Sequence, residues 1–306
     1  MVTILEDETV PYFTKRQGKF WVNVLAFITL SFVYTPIVSA APKSELIKFW
    51  DDREALSIMQ VDHSGWQDIL TAYVDDQHPS GINRFDYSSV TPSDATKLKN
   101  YLGYLQKLEP RQLNSEEAKA FWINLYNAIL VDKIVSAYES GSRRAINRLK
   151  NGGVESRALK RDAAELLMQE ISLNDIQHGI LRPIWKDPRV HFVLSTGALS
   201  GANIQKTAFT GDNNEELLEK AKAKFMQHPK AVRVEGNLLV LNSVFEWYAS
   251  DFGENRSAVL AYIRENTSDA MRQAMDGLSR ISFDYNWDLN TFDAQSDLAF
   301  SGASSE

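Results

Sequence analysis

Two of the chain's five histidines, His178 and His191, lie in one short polar stretch running from Ser172 to Ile204. Imidazole titrates near neutrality, so each can serve as general base, general acid or metal ligand. Arg182 and Arg189 stand beside Pro183 and Pro188 in the same stretch. Two guanidiniums suit an anionic group such as a carboxylate or phosphate better than a cation. Asn174, Gln177, Thr196, Ser200 and Asn203 add neutral donors and acceptors. Further upstream, Asn124 and Asn127 interrupt an apolar run three residues apart, which places them on neighbouring positions of one helix face. The catalytic candidates are therefore His191, His178, Asn124 and Asn127. The binding candidates are Arg182, Arg189, Gln177, Asn174, Thr196, Ser200 and Asn203. The expectation is one shared site, with both histidines lined by the arginines and by the Thr196–Gly201 loop.

Other chemistries find less support. The chain has no cysteine, which removes disulfides, thiolate metal sites and a cysteine nucleophile. A metal would need His178 and His191 to converge with Asp175 or Asp187, and the spacing of the histidines is no ligand signature. Ser195 and Ser200 lie near His191, but no third member of a triad is identifiable. Phosphate-loop, dinucleotide, zinc-protease and serine-hydrolase signatures are absent. No metal and no cofactor is expected.

The elements that must position these groups read mostly as helices. Residues 44–78 have helical spacing at Trp66, Ile69, Leu70, Tyr73 and Val74. Thr91, Pro92 and Asp94 form a helix start, followed by a stripe of Ala95, Leu98, Leu102, Leu105 and Leu108. Asn114 with Glu117 opens a second helix, apolar nearly all round as a central buried helix should be. On it, Asn124 and Asn127 must find hydrogen-bond partners, either in loops they tie down or in a substrate. Residues 142–161 are basic and read as an exposed excursion. Ser172 with Asp175 caps a short helix holding His178, which Pro183 should close. Arg189–Ser195 reads as a strand with Val190, Phe192 and Leu194 on one face and His191 on the other. Asp212 with Glu215 starts a further helix, residues 231–242 form a hairpin around Gly236-Asn237, and Ser243 with Glu246 caps a helix that Gly253 ends. A last helical stretch covers about 256–276.

Composition bounds the rest. The 306 residues are 44% hydrophobic, enough for a sizeable core, and the net charge of −7 argues against nucleic acid as a partner. Lys15, Arg16 and Lys19 precede an apolar run to Val38, and Val38-Ser39-Ala40 meets the small-residue cleavage rule. Residues 1–40 are expected to be a signal peptide, with an uncleaved anchor as the alternative; only then would the membrane be a partner. The expected organisation is a single α+β domain at 41–292, mainly helical around a small, mostly antiparallel sheet, with a disordered tail at 293–306. The expected location is periplasmic or secreted.

FWINLYNAILV, SLNDIQHGILRP, DPRVHFVLSTGALSGANI, FEWYASDFG and FDYNWDLN occur in this order between about Asn83 and Asn290. In these motifs the chain resembles the domain of unknown function 547 family, in its exported bacterial form. The resemblance also exposes departures. Family members typically read I-E-H where this chain has Ile176-Gln177-His178, and carry two cysteines at the positions of Thr196 and Gly201, with a proline at Ala202. The replaced groups would have been candidates for general base, nucleophile, metal ligand or disulfide. These losses favour an exported binding or scaffold module of the cell envelope, taking an unknown envelope component or an anionic small ligand. The alternative is a hydrolase or transferase on envelope peptide or glycan through His191 and its polar neighbours.

Overall fold

The structure is a computed structural model that describes residues 43–150 and 162–292. The expected signal segment, part of the basic excursion and the tail lie outside the described residues. Among those described, no helix is long and apolar enough to cross a membrane. The architecture is α+β and mainly helical, as expected.

A short 3₁₀ turn at Lys48–Trp50 precedes helix α1, Ser64–Tyr73, so the helical reading of 44–78 holds only in its second half. Helix α2, Pro92–Leu105, begins as its sequence dictates: the Thr91 side chain accepts from the Asp94 N–H and Pro92 occupies the first turn. Its apolar stripe packs on α3, Ser115–Glu139. The α3 run from Glu117 to Val131 is buried at every position, so this helix is the axis of the core. Asn114 caps it. Glu117 does not complete a capping box; its carboxylate instead accepts from Val61 N at 2.7 Å and Gly211 N at 2.8 Å, pinning two loops to the helix. Helix α4, Arg143–Lys150, has no buried residue, in keeping with an exposed basic excursion.

Asn124 and Asn127 tie down loops. Asn124 Nδ2 donates to Phe209 O at 2.7 Å and its Oδ1 accepts from Phe209 N at 3.1 Å. Asn127 holds Val193 O at 2.9 Å and Ser195 N at 3.0 Å in the same two-handed way. Each amide replaces the backbone partner a buried loop would otherwise lack.

Among the described residues there are three small sheets, mostly antiparallel, where one was expected. Val74–Asp75 (β1) pairs with Arg84–Phe85 (β2), and Asp162–Leu166 (β3) with Gln169–Ser172 (β4), both antiparallel. The hairpin appears as β5, Val232–Glu235, and β6, Leu238–Asn242, turning at Gly236 with φ 59°. Strand β6 is central, because Arg280–Asp284 (β7) joins its other edge in parallel.

The segment after β4 departs most from expectation. It is helical from Leu173 through Trp185, with Asp175–Leu181 in π-helical geometry and α5, Arg182–Trp185, continuing it. Ser172 does cap it through reciprocal bonds with Asp175. Pro183 does not close it. A proline at that position leaves Gly179 O without its donor, and the π turn routes Arg182 N to Gln177 O, leaving His178 O as well. Residues 45 and 47 fill both vacancies: Glu45 N donates to His178 O at 3.0 Å and Ile47 N to Gly179 O at 2.9 Å. A Cβ at Gly179 would stand 2.4 Å from Ile47 Cδ1, so any larger residue would make the Ile47 side chain shift. The strand expected at Arg189–Ser195 is also absent. Asp187 caps a 3₁₀ turn, Pro188–Phe192, and residues Val190 to Ser195 are all buried, so no alternation of faces is required.

The closing helices are α6, Asn214–Met226; α7, Val244–Trp247; α8, Ala249–Phe252; α9, Arg256–Asn266; and α10, Asp269–Ala274. The α7–α8 run ends at Gly253 as expected but breaks at Tyr248.

Asn124→Leu and Asn127→Leu are each expected to lose about 1–3 kcal/mol of stability, because each leaves a buried N–H and C=O unpaired. Chemical denaturation of the two variants measures it, and unchanged midpoints in both would refute the clamping role.

Candidate functional site

The π turn, the 3₁₀ turn and the α7–α8 break meet at one carboxylate, Asp251. Arg182 Nε donates to its Oδ2 at 2.5 Å and Arg182 Nη2 to its Oδ1 at 2.9 Å. His191 Nε2 donates to the same Oδ2 at 2.7 Å. His178 Nδ1 lies 3.0 Å from Arg182 Nη1, one helical turn back. Tyr248 covers the group: its ring stacks on His191 at 4.2 Å and 7°, packs against His178 at 5.7 Å, and lies under the Arg182 guanidinium at 5.0 Å. The two histidines thus share a region, with Arg182 between them.

Their electrostatics follow from this geometry. Burial pushes the Asp251 carboxyl up, but the bonds from His191 and Arg182 outweigh it and hold it well below the usual carboxylate range. Burial pulls the His191 imidazole below its ordinary value, against the opposing pull of Asp251. The ring is therefore neutral near pH 7. The hydrogen-bond network assigns its proton to Nε2, leaving Nδ1 to accept from Gln177 Nε2 at 3.5 Å.

Beside Nδ1 is a cavity of about 30 Å³, lined by Gln177, His191, Thr196, Ser200, Gly201, Tyr248 and Tyr285 among others. That is room for one or two water-sized groups. Thr196 Oγ1 and Tyr285 OH bond to each other at 2.7 Å on its wall. Ser200 Oγ accepts from Asn286 N at 2.8 Å. A Cβ built on Gly201 would come 2.4 Å from Thr196 Oγ1, so positions 196 and 201 are in direct contact. The two positions at which the family resemblance implies cysteines are therefore neighbours, and glycine at 201 leaves room for the Thr196 hydroxyl. On the far side of Arg182 a wider pocket of about 490 Å³ opens, with Ser44, Lys186, Asp187 and Asp251 among its lining.

Not every candidate belongs here. Arg189 is held by Asp187 at 2.8 Å and by Glu215 and Glu219 at 2.6 Å each, facing α6 instead of the histidines. With Arg182 on Asp251 and Arg189 on three carboxylates, neither guanidinium stands ready for an anion. Asn124 and Asn127 act through the loops they clamp; Asn127 fixes the chain just after His191. Asn174 is half-buried at the start of the π turn and makes no capping bond. Asn203 belongs to a second buried cluster, where Lys230 Nζ donates to its Oδ1 at 3.0 Å and to Gly201 O at 2.8 Å. Burial, with the charges of Lys224 and Arg84, lowers the Lys230 ammonium to about 7. Among the described residues, no group of three or more His, Asp or Glu side chains is placed to hold a metal.

Asp251, Tyr248, Tyr285 and Lys230 were missed by residue-level reading. The first three lie inside FEWYASDFG and FDYNWDLN, so the ordered motifs flagged their segments without giving them roles.

Residues 110–226 match the model of a family described as "Protein of unknown function, DUF547". The similarity is confined to that segment, a shorter stretch than the motifs span; it holds Gln177, His178, His191, Thr196 and Gly201 but not Asp251 or Tyr285. No curated protein and no solved structure matches the chain.

Gln177→Glu places a carboxylate opposite His191 Nδ1 and should raise that imidazole's pKa by about 1–3 units, read by NMR titration of the ring. An unmoved titration would show that Gln177 does not face Nδ1 in solution.

Acid stability gives a second check. Burial lowers the His63 and His228 imidazoles to about 4, and it lowers His191 too. The unfolded chain takes up these protons first as pH falls below about 6.5, so stability is present above that pH and lost toward 4. Asp251, whose folded pKa is depressed, adds its own loss below about 4. Denaturation midpoints should drop steadily from neutrality to pH ~4; a flat profile down to pH ~5 would contradict the buried neutral state of the histidines.

Proposed function

We propose that the chain is an exported binding module of the cell envelope, whose ligand engages the small cavity beside His191, and that it performs no covalent chemistry there. One observation carries this reading: the site's reactive groups are committed to one another. His191 has Asp251 on one ring nitrogen and Gln177 against the other. Thr196 and Tyr285 share a hydrogen bond, and the charge of Arg182 is matched by Asp251. What faces the cavity is a mixture of apolar side chains with neutral hydrogen-bonding ones, and no thiol or carboxylate lines it to act as nucleophile or base. Export is supported by the charged-then-apolar pattern of residues 1–40 with its Val38-Ser39-Ala40 end.

The His191–Asp251 pair is also what a base with its orienting carboxylate looks like, and this favours hydrolase or transferase activity as the second reading. Incubation with insoluble cell-wall polymer separates the two. The expected outcome is that the protein sediments with the polymer while mass spectrometry of the supernatant finds no new fragment. Release of fragments by the wild type but not by His191→Ala would establish the enzyme instead.

A further inference from the structure

The cavity opens beneath a cluster of large aromatic rings. Trp247 and Tyr285 both line it. Trp247 lies 4.9 Å from Tyr285 and 5.6 Å from Trp287, nearly parallel to the latter at 30°, and Tyr285 meets Trp287 at 4.4 Å. Tyr285 joins rim to interior: its ring belongs to the cluster while its hydroxyl reaches Thr196. Trp287 remains 38% exposed. A partly exposed indole beside a cavity with both apolar and hydrogen-bonding walls offers a ring face to a ligand.

We infer that this rim is a stacking platform for a neutral pyranose, with one small ring substituent entering the cavity. The inference rests on the binding reading above and names its ligand class. Three features select it. A flat indole face receives the C–H face of a sugar ring, as aromatic rings receive other apolar surfaces. The cavity admits a group of hydroxymethyl size and offers both donors and acceptors through Gln177 and Thr196. The Arg182 guanidinium beside the cavity is paired with Asp251, so an acidic unit would gain no counterion from it and would lose its hydration. An acidic sugar or an acidic peptide is therefore a poorer fit than a neutral glycan.

The test titrates the full chain with soluble oligomers of N-acetylglucosamine and of glucose, followed by tryptophan fluorescence and calorimetry. A uronic-acid oligomer and a peptide of similar size run alongside. Saturable binding of a neutral oligomer is expected, weakened about tenfold or more by Trp287→Ala, an exposed position whose truncation leaves the core intact. Thr196→Val should weaken it as well, by removing the inner hydrogen-bond partner. Absence of binding to both neutral oligomers, preference for the uronic-acid oligomer, or unchanged affinity in Trp287→Ala each overturns the inference. The polymer sedimentation assay distinguishes the failures: retention on polymer without oligosaccharide binding removes the ligand class and keeps the binding module. Loss of retention removes the module reading itself.

Discussion

A guanidinium cannot be buried without a partner, and the site is arranged around that constraint. The Arg182 side chain is 3% exposed, and Asp251 answers it with both carboxylate oxygens. Removing either partner would strand the other as an uncompensated charge in a poorly solvated place. Because His191 bonds the same oxygen that Arg182 Nε uses, one carboxylate couples the π turn, the 3₁₀ turn and helix α8. Tyr248 seals the arrangement by lying against all three cationic or potentially cationic side chains. The same pairing that builds the site also cancels its charge.

The π turn is the second device. An ordinary α-helix through Pro183 would leave one carbonyl unpaired; widening the turn leaves a second. The chain resolves this with the extended residues 45–47, which donate to both, and with Gly179, which lets Ile47 come close enough. Gln177, His178 and Arg182 are buried on this turn and reach His191, Tyr248 and Asp251 from it. The local irregularity is thus supported by ordinary backbone bonds from a segment distant in sequence.

What the site can do follows from the residues at positions 177, 196 and 201. Glutamine at 177 donates to Nδ1 of His191 and cannot hold an imidazolium there as a carboxylate would. Thr196 Oγ1 occupies the space that a side chain at 201 would need, and glycine there leaves it room. The result is a hydrogen-bonding pocket under an aromatic rim.

By itself the sequence determined the helices whose ends carry their own signals, Thr91-Pro92 for α2 and Asn114 for α3, because caps are local chemistry. It determined the β5–β6 hairpin through Gly236-Asn237, and the buried state of Asn124 and Asn127 through the apolar faces around them. The ordered motifs pointed to the family whose model matches residues 110–226. Only the tertiary structure decided the rest. A run such as Val190 to Ser195, buried on every side, has no alternation to reveal its geometry, so a turn read as a strand. Pro183 reads as a stop because its missing N–H is visible in sequence, whereas the donors at residues 45 and 47 are not. Arg182 and Arg189 look alike beside their prolines, yet one meets Asp251 and the other Asp187, Glu215 and Glu219. Asp251, 60 residues from His191, becomes its partner only when α8 folds back across the 3₁₀ turn, and sequence spacing cannot encode contacts that long-range packing creates.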